Sequence, residues 1–291
     1  MTSSGDPEPT GFEVPLPSGG HLAGQIVGAG ATIVVLHAVT ATRHHVVHGS
    51  RHLEREGHRV VAYDARGHGD SSPAPSADAY EYHDLVGDLE HLLDDLELER
   101  VVLAGSSMGA ATALAFALEH PERVDALVQI TPSSRGGPSA DGDELASWDR
   151  LARGLREGGV EGFLDAWEPR VDERWRESVM TATRQRLEAH RHLDAVADAL
   201  EVVPRSPVWN GGLDALRSLT APTLVVGSRD EADPGHPLAV AEDYADVIPQ
   251  VELAVEDQGE SPLAWQGAQL SRTIAEFLGR WVPQDSSPAP S

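Results

Sequence analysis

The chain has 291 residues, with 22 basic side chains against 47 acidic ones and a formal net charge of −25. Such a charge repels nucleic acid and anionic membrane surfaces. With no cysteine there is no disulfide framework and no cysteine-based zinc site, and with no lysine there is no Schiff-base, serine–lysine or P-loop chemistry.

The length and the 40% share of hydrophobic residues suit one large α/β domain carrying an insertion. Residues 1–10 are polar and acidic, without the basic and apolar regions of a signal peptide. A disordered start in a cytoplasmic protein is the expectation, and residues 283–291 read as a disordered end. No apolar run approaches the length of a membrane span.

In chain order, Phe12 to Leu16 and His21 to Val27 read as two strands joined by the turn Pro17-Ser18-Gly19-Gly20. Thr32 to His37 is a continuous β-branched run, as expected of a strand buried on both faces. A helix is expected over His48 to Glu56, ended by Gly57, then a strand from Arg59 to Tyr63. The turn-rich loop Asp64-Ala65-Arg66-Gly67-His68-Gly69-Asp70-Ser71 follows. Leu85, Leu89, Leu92 and Leu96 recur at helical spacing within a predicted helix from Tyr80 to Leu96. Val101 to Ala104 is a strand, Ala110 to Glu119 a helix and Ala126 to Ile130 a strand.

Between residues 133 and 219 the pattern changes. Arg150 to Leu155, Val160 to Trp167, Glu173 to Arg191 and Leu193 to Val202 read as helices, with no strand among them. The simplest role for such an insertion is a cap over the active-site edge. Trp148, Trp167, Trp175 and Trp209 belong to it or border it; packing onto the core is their simplest use, with lining an apolar pocket the other. The alternation then resumes with a strand from Pro222 to Val226, a helix from Pro237 to Val247, a strand from Val251 to Val255 and a helix from Trp265 to Trp281. This order predicts a mostly parallel sheet with helices on both faces. The core comprises 11–132 and 220–282 and the helical cap 133–219.

The chemistry gathers at Gly105-Ser106-Ser107-Met108-Gly109, a G-x-S-x-G motif lying between a strand and a helix. There the glycines let strand and helix approach, the turn exposes the Ser107 hydroxyl, and the Met108 N–H faces a developing oxyanion. Three further motifs join it: Leu36-His37-Ala38-Val39-Thr40, the Asp64-to-Ser71 loop, and Gly227-Ser228-Arg229-Asp230 at a strand end. On these four motifs the chain resembles the α/β-hydrolase fold family, in its serine-nucleophile branch of esterases, lactonases and haloperoxidases. The resemblance implies that Ser107 is the nucleophile, that Val39 and Met108 supply the oxyanion hole, and that Asp230 is the acid. It implies no cofactor and no metal. Ala38 departs mildly from the family's glycine, making positive φ less accessible.

A larger departure follows the last strand. Where the family carries its histidine, this chain reads Gln258-Gly259-Glu260-Ser261-Pro262, and no histidine occurs after His236. A serine hydroxyl needs a base to act at neutral pH. Glu260 is one candidate. It starts roughly 3 kcal/mol less basic than a histidine, and a neighbouring Asp230 carboxylate would raise it. His236, in Asp233-Pro234-Gly235-His236-Pro237, is a second candidate, since Pro237 suits a helix start and leaves the imidazole in the loop after Asp230. A histidine of the His44, His45 and His48 group is a third, and a pocket without a base is the fourth. His44 and His48, four residues apart, would share a helical face as a zinc pair does, but no third ligand is identifiable. His37 is expected to bond backbone near the oxyanion loop and His68 to stabilise its own turn. His190 and His192 are expected on a solvated cap helix, and Arg43 and Arg66 in solvent. The function expected is hydrolysis of a small ester, lactone or similar acyl compound. A binding module on an impaired hydrolase scaffold, or cofactor-free lyase chemistry, is the alternative. The partner is a small molecule, not nucleic acid or membrane.

Overall fold

A computed structural model describes residues 8–138, 142–167, 173–229, 236–256, 265 and 267–282. Eight strands form one sheet: β1 (Thr10–Pro15), β2 (His21–Val27), β3 (Thr32–Leu36), β4 (Arg59–Tyr63), β5 (Val101–Ser106), β6 (Val124–Ile130), β7 (Thr223–Gly227) and β8 (Val251–Val255). Their spatial order is β1-β2-β4-β3-β5-β6-β7-β8. The first two junctions are antiparallel and the others parallel. Thr10, expected in the disordered start, already pairs with Ile26.

Alternate residues of the central strands feed opposite faces of the sheet, as a period of two requires. Val34, Leu36, Val61, Leu103 and Leu127 pack with α2 (Tyr82–Asp95) and α3 (Met108–Glu119). Ile33, Val35, Val60, Val102 and Val128 pack instead with Leu53 of α1 (His52–Arg55) and with Leu270, Ile274 and Phe277 of α8 (Gly267–Trp281). The helix expected from His48 is shorter than its pattern suggested. Residues 43–49 are turns, and both His48 and Gly49 have positive φ.

Between β6 and β7 lie α4 (Gly142–Ala166), α5 (Glu173–Glu188) and α6 (Leu193–Val202), with no strand among the described residues. α4 is two helical pieces meeting at Gly159, whose φ is 61°. The second piece folds back on the first, so Gly154 and Gly162 face each other with no room for a Cβ on either. Arg184 on α5 pairs with Glu161 on α4, and Arg156 on α4 pairs with Asp198 and Glu201. Trp148, Trp167 and Trp209 pack partly buried against the core cluster, while Trp175 lies under the Arg174 guanidinium. α7 (Leu238–Val247) begins one residue after Pro237, which occupies its N-cap. Among the described residues no helix is long and apolar enough to cross a membrane.

The topology prepares a site. β3 is the strand at which the order reverses, with β4 on one side and β5 on the other. Crevices open at the carboxyl ends of strands at such a point. Leu36 pairs with Gly105, so the loop leaving β3 and the turn leaving β5 emerge side by side. Gly109 sits at this contact, where an added Cβ would strike the backbone of Leu36. Gly109→Ala is therefore expected to destabilise the fold by about 1–3 kcal/mol through overpacking, read as a lower denaturant midpoint. An unchanged midpoint would mean that the two backbones can separate freely.

Candidate active site

The turn after β5 is a forced one. Ser107 holds φ 51° and ψ −112°, a conformation costing about 1–3 kcal/mol for a residue with a side chain. Two bonds hold it there. The Ser107 N–H donates to Ile130 O at 3.1 Å, and Ala111 N–H donates to Ser107 O at 2.9 Å. The serine is left half-buried at the tip, with the Met108 N–H in the first turn of α3, where helix geometry supplies no intrahelical partner.

His236 meets it. Its Nε2 lies 2.7 Å from Ser107 Oγ across 129 residues of sequence. The two come together because β5 and β7 both flank β6, which brings the two exit loops to one edge. Of the described candidate bases, His236 makes the hydrogen-bond contact with Ser107 Oγ. Asp230 and Glu260 lie outside the described residues. His44, His45 and His48 are on turns rather than one helical face, and His45 Nδ1 accepts from Thr42 N–H at 3.1 Å. Among the described residues no group of three or more metal-ligating side chains is present.

The loop after β3 is held by imidazoles. Ala65 N–H donates to His37 Nε2 at 2.9 Å. An N–H cannot accept, so the His37 proton sits on Nδ1 and bonds Ala38 O at 2.8 Å. Ala41 N–H donates to the same carbonyl at 2.9 Å, closing a turn. Ala38 O and the Val39 N–H belong to one planar peptide and point in opposite directions. Fixing that carbonyl therefore fixes where the Val39 N–H points. His68 lies with Nδ1 and Nε2 each 2.8 Å from a carbonyl oxygen, those of Arg66 and Val39. A neutral ring donates to one of them, a charged ring to both.

His190 and both arginines depart from the solvated setting expected of them. His190 follows the end of α5 and is only 8% exposed. Arg43 pairs with Asp64 and Asp70. Arg66, 6% exposed, grips Asp88 of α2 through Nε and Nη2 at 2.7 Å each. The acidic partners were visible in the sequence, but their convergence depends on the tertiary fold. Within the same loop Gly69 leaves room for the Asp64 carboxylate, which a Cβ would strike. Ser71 donates to Asp64 O and accepts from Ala23 N–H, fastening the loop to β2.

Comparison with known proteins agrees with this architecture. A family model described as the alpha/beta hydrolase fold matches residues 31–268. The chain belongs to the α/β-hydrolase family. Among hydrolases of this fold it is 31% identical over 262 residues to a 2-hydroxy-6-oxononadienedioate/2-hydroxy-6-oxononatrienedioate hydrolase of Cupriavidus pinatubonensis, covering 87% of this chain and 88% of that one. A solved thermophilic esterase from Thermogutta terrifontis superposes with a TM-score of 0.75 at 25% identity, over 95% of this chain and all of that one. A hydrolase from Pseudomonas aeruginosa superposes at 0.71, also at 25% identity, over 93% and 98%. The chain is accordingly a hydrolase.

Two more features of this α/β-hydrolase bear on the site. Glu256, buried at the end of β8, accepts from the Arg229 N–H and lies 3.4 Å from Ser228 Oγ. Its other carboxylate oxygen is buried without a hydrogen-bond partner among the described residues. Glu256 thus ties the exit of β7 to that of β8, a role with no local signature in the sequence. Away from Ser107, a cavity of about 640 Å³ opens where α4 and α6 meet the Pro73–Tyr80 loop. Its lining includes Tyr80, Arg156 and Asp198 but neither Ser107 nor His236.

Burial also sets the charge of this region. It is the first cause pulling His37 and His190 down to about 3 and His45 to about 4, with the positive potential of neighbouring imidazoles adding to it at His37 and His190 and that of Arg186 at His45. An unfolded chain titrates these groups near 6.5, so below that pH it takes up protons that the folded chain refuses. The stabilisation is complete above about pH 6.5 and is lost as the pH falls toward the folded values. Between about pH 5.5 and 4 His37 and His190 each steepen the loss by about 1.4 kcal/mol per pH unit. Unfolding free energies of wild type and His190→Gln across that window should differ in slope by about this amount. Equal slopes would show that His190 titrates alike in both states.

Proposed function

We propose that the protein is a serine hydrolase of small esters, lactones or similar acyl compounds, with Ser107 as nucleophile and His236 as its general base. The observation that carries this reading is the 2.7 Å contact between His236 Nε2 and Ser107 Oγ. It lies within the range required of a base and the proton it removes. The base then comes from the loop between β7 and α7, where the family's order would put it after β8.

In this reading Ser107 Oγ adds to the substrate carbonyl carbon while its proton passes to His236 Nε2. The carbonyl oxygen becomes an oxyanion facing the N–H groups of Met108 and Val39. Collapse of the tetrahedral adduct breaks the bond to the leaving group, which takes the proton from His236. Water, deprotonated by His236 in its turn, releases the acyl group and restores the serine. Asp230, six residues before His236 in the chain, is the acid we assign to orient the imidazole. Residues 133–219 act as the cap that shapes the acyl pocket, and neither metal nor cofactor takes part.

A fluorophosphonate probe and p-nitrophenyl acetate test the assignment together. Wild type should be labelled and Ser107→Ala should not. His236→Ala should lower kcat/KM by about 10²–10⁴-fold, the usual worth of a general base. Glu260→Gln should cost about a tenth of that loss or less. A folded wild type that neither takes the probe nor cleaves the ester would favour a binding module. Equal losses in His236→Ala and Glu260→Gln would reopen the carboxylate as the base.

A further inference from the structure

The segment that ends α5 does not stop at packing on the core. It takes hold of two loops at four points. Gly69 N–H donates to His190 Nδ1 at 2.9 Å, and Arg191 N–H donates to Gly69 O at 3.1 Å. Arg191 Nε pairs with Asp70 at 2.6 Å. The fourth contact joins His190 Nε2 to Thr40 O at 3.2 Å. Since the Gly69 N–H can only donate, Nδ1 must accept and the ring proton sits on Nε2, directed at Thr40.

Thr40 closes the loop whose Val39 N–H is the proposed oxyanion donor. The rings of His37, His68 and His190 stand in a row, with centroids 5.0 Å and 5.5 Å apart. Their nitrogens meet the carbonyls of Ala38, Val39 and Thr40 in turn. Two of the three rings belong to the core sheet's own loops. The third comes from the helical insertion, 150 residues from Thr40 in the chain. A trans peptide is rigid, so a tether on Thr40 O also orients the Ala41 N–H of the same plane, and that N–H donates to Ala38 O, the carbonyl that shares its peptide with the Val39 N–H.

We propose that His190 is a positioning residue for the oxyanion hole: its bond to Thr40 O makes seating of the helical insertion and alignment of the Val39 N–H one event. A hydrolase of this construction reaches full activity only when the insertion is docked, because the insertion carries one of the three hands on the loop. The inference rests on the serine-hydrolase reading above. It assigns His190 no contact with substrate.

The full-length protein tests this with His190→Ala, His190→Gln, His190→Asn and, as control, the exposed neighbour His192→Ala. Gln can return an N–H to the place of Nε2, facing Thr40 O, whereas Asn can return only an acceptor for the Gly69 N–H. Each variant is assayed on p-nitrophenyl acetate and titrated with a trifluoromethyl ketone, whose serine adduct places an oxyanion in the hole. His190→Ala should lose about ten- to a hundredfold in kcat, part of what deletion of an oxyanion donor costs. KM should change little, and the ketone should bind weaker by the same factor as kcat falls. Gln should restore most of the loss, Asn little of it, and His192→Ala should match wild type. If His190→Ala does not fold, the order of Gln over Asn carries the test. A folded His190→Ala with wild-type kcat, equal rates for Gln and Asn, or a loss confined to KM each overturns the inference. An active wild type with any of those results sinks this inference alone, whereas a wild type inert to ester and probe sinks the serine-hydrolase reading with it.

Discussion

The geometry at the sheet's carboxyl edge depends on one close approach. β3 and β5 are hydrogen-bonded neighbours, and α3 starts so near β3 that Gly109 touches the backbone of Leu36. A glycine is needed there because no side chain fits. The approach sets the loop after β3 against the turn after β5, and it compels Ser107 into a backbone conformation that a residue with a side chain rarely takes. The strain is sustained by the buried helix behind it, in which ten consecutive residues from Met108 to Ala117 are buried. The stability of the core thus supports a serine that is presented rather than packed away.

Around that point the polar groups form a nearly closed set of bonds. Asp64 accepts from Arg43 and from the Asp70 N–H, Arg66 reaches into α2, and Ser71 joins the same loop to β2. Buried charges of this kind add little to net stability when paired and cost much when one partner is lost. Their contribution is shape. They hold the loop that receives His190, and through it the insertion meets the core at defined atoms as well as across the apolar cluster the two share.

Much of the architecture was legible in the residues. The β-branched runs ending at Leu36, Tyr63, Ile130 and Val226 gave strands, because a strand buried on both faces has no polar side to interrupt it. The G-x-S-x-G turn gave the elbow, because its chemistry is local. The break at Gly159 falls between the two helices read over Arg150 to Leu155 and Val160 to Trp167. What failed was whatever depended on distant neighbours. His190 carries the same local pattern as exposed His192, and only the approach of Gly69 and Thr40 separates them. The turns at 43–49 run into His48 and Gly49, where the sequence reads as the start of a helix, yet the chain bends there to bring Arg43 to Asp64. For the base, the sequence put Glu260 first and His236 second, since a loop's reach is not written in its composition.

The histidine that meets Ser107 stands immediately before Pro237, the residue that opens α7. Proline's fixed φ and the helix behind it shorten the lever arm on which the imidazole can swing. On the reading proposed above, every group with a chemical task then lies in the first 236 residues of the chain. The final strand and helix are relieved of chemistry and answer to packing and to the ties that Glu256 and Trp265 make to the exit of β7. Evolution, or an engineer, is free to rewrite the surface of that closing segment, grafting a tether or a docking sequence onto it, without touching the reaction it helps to shelter.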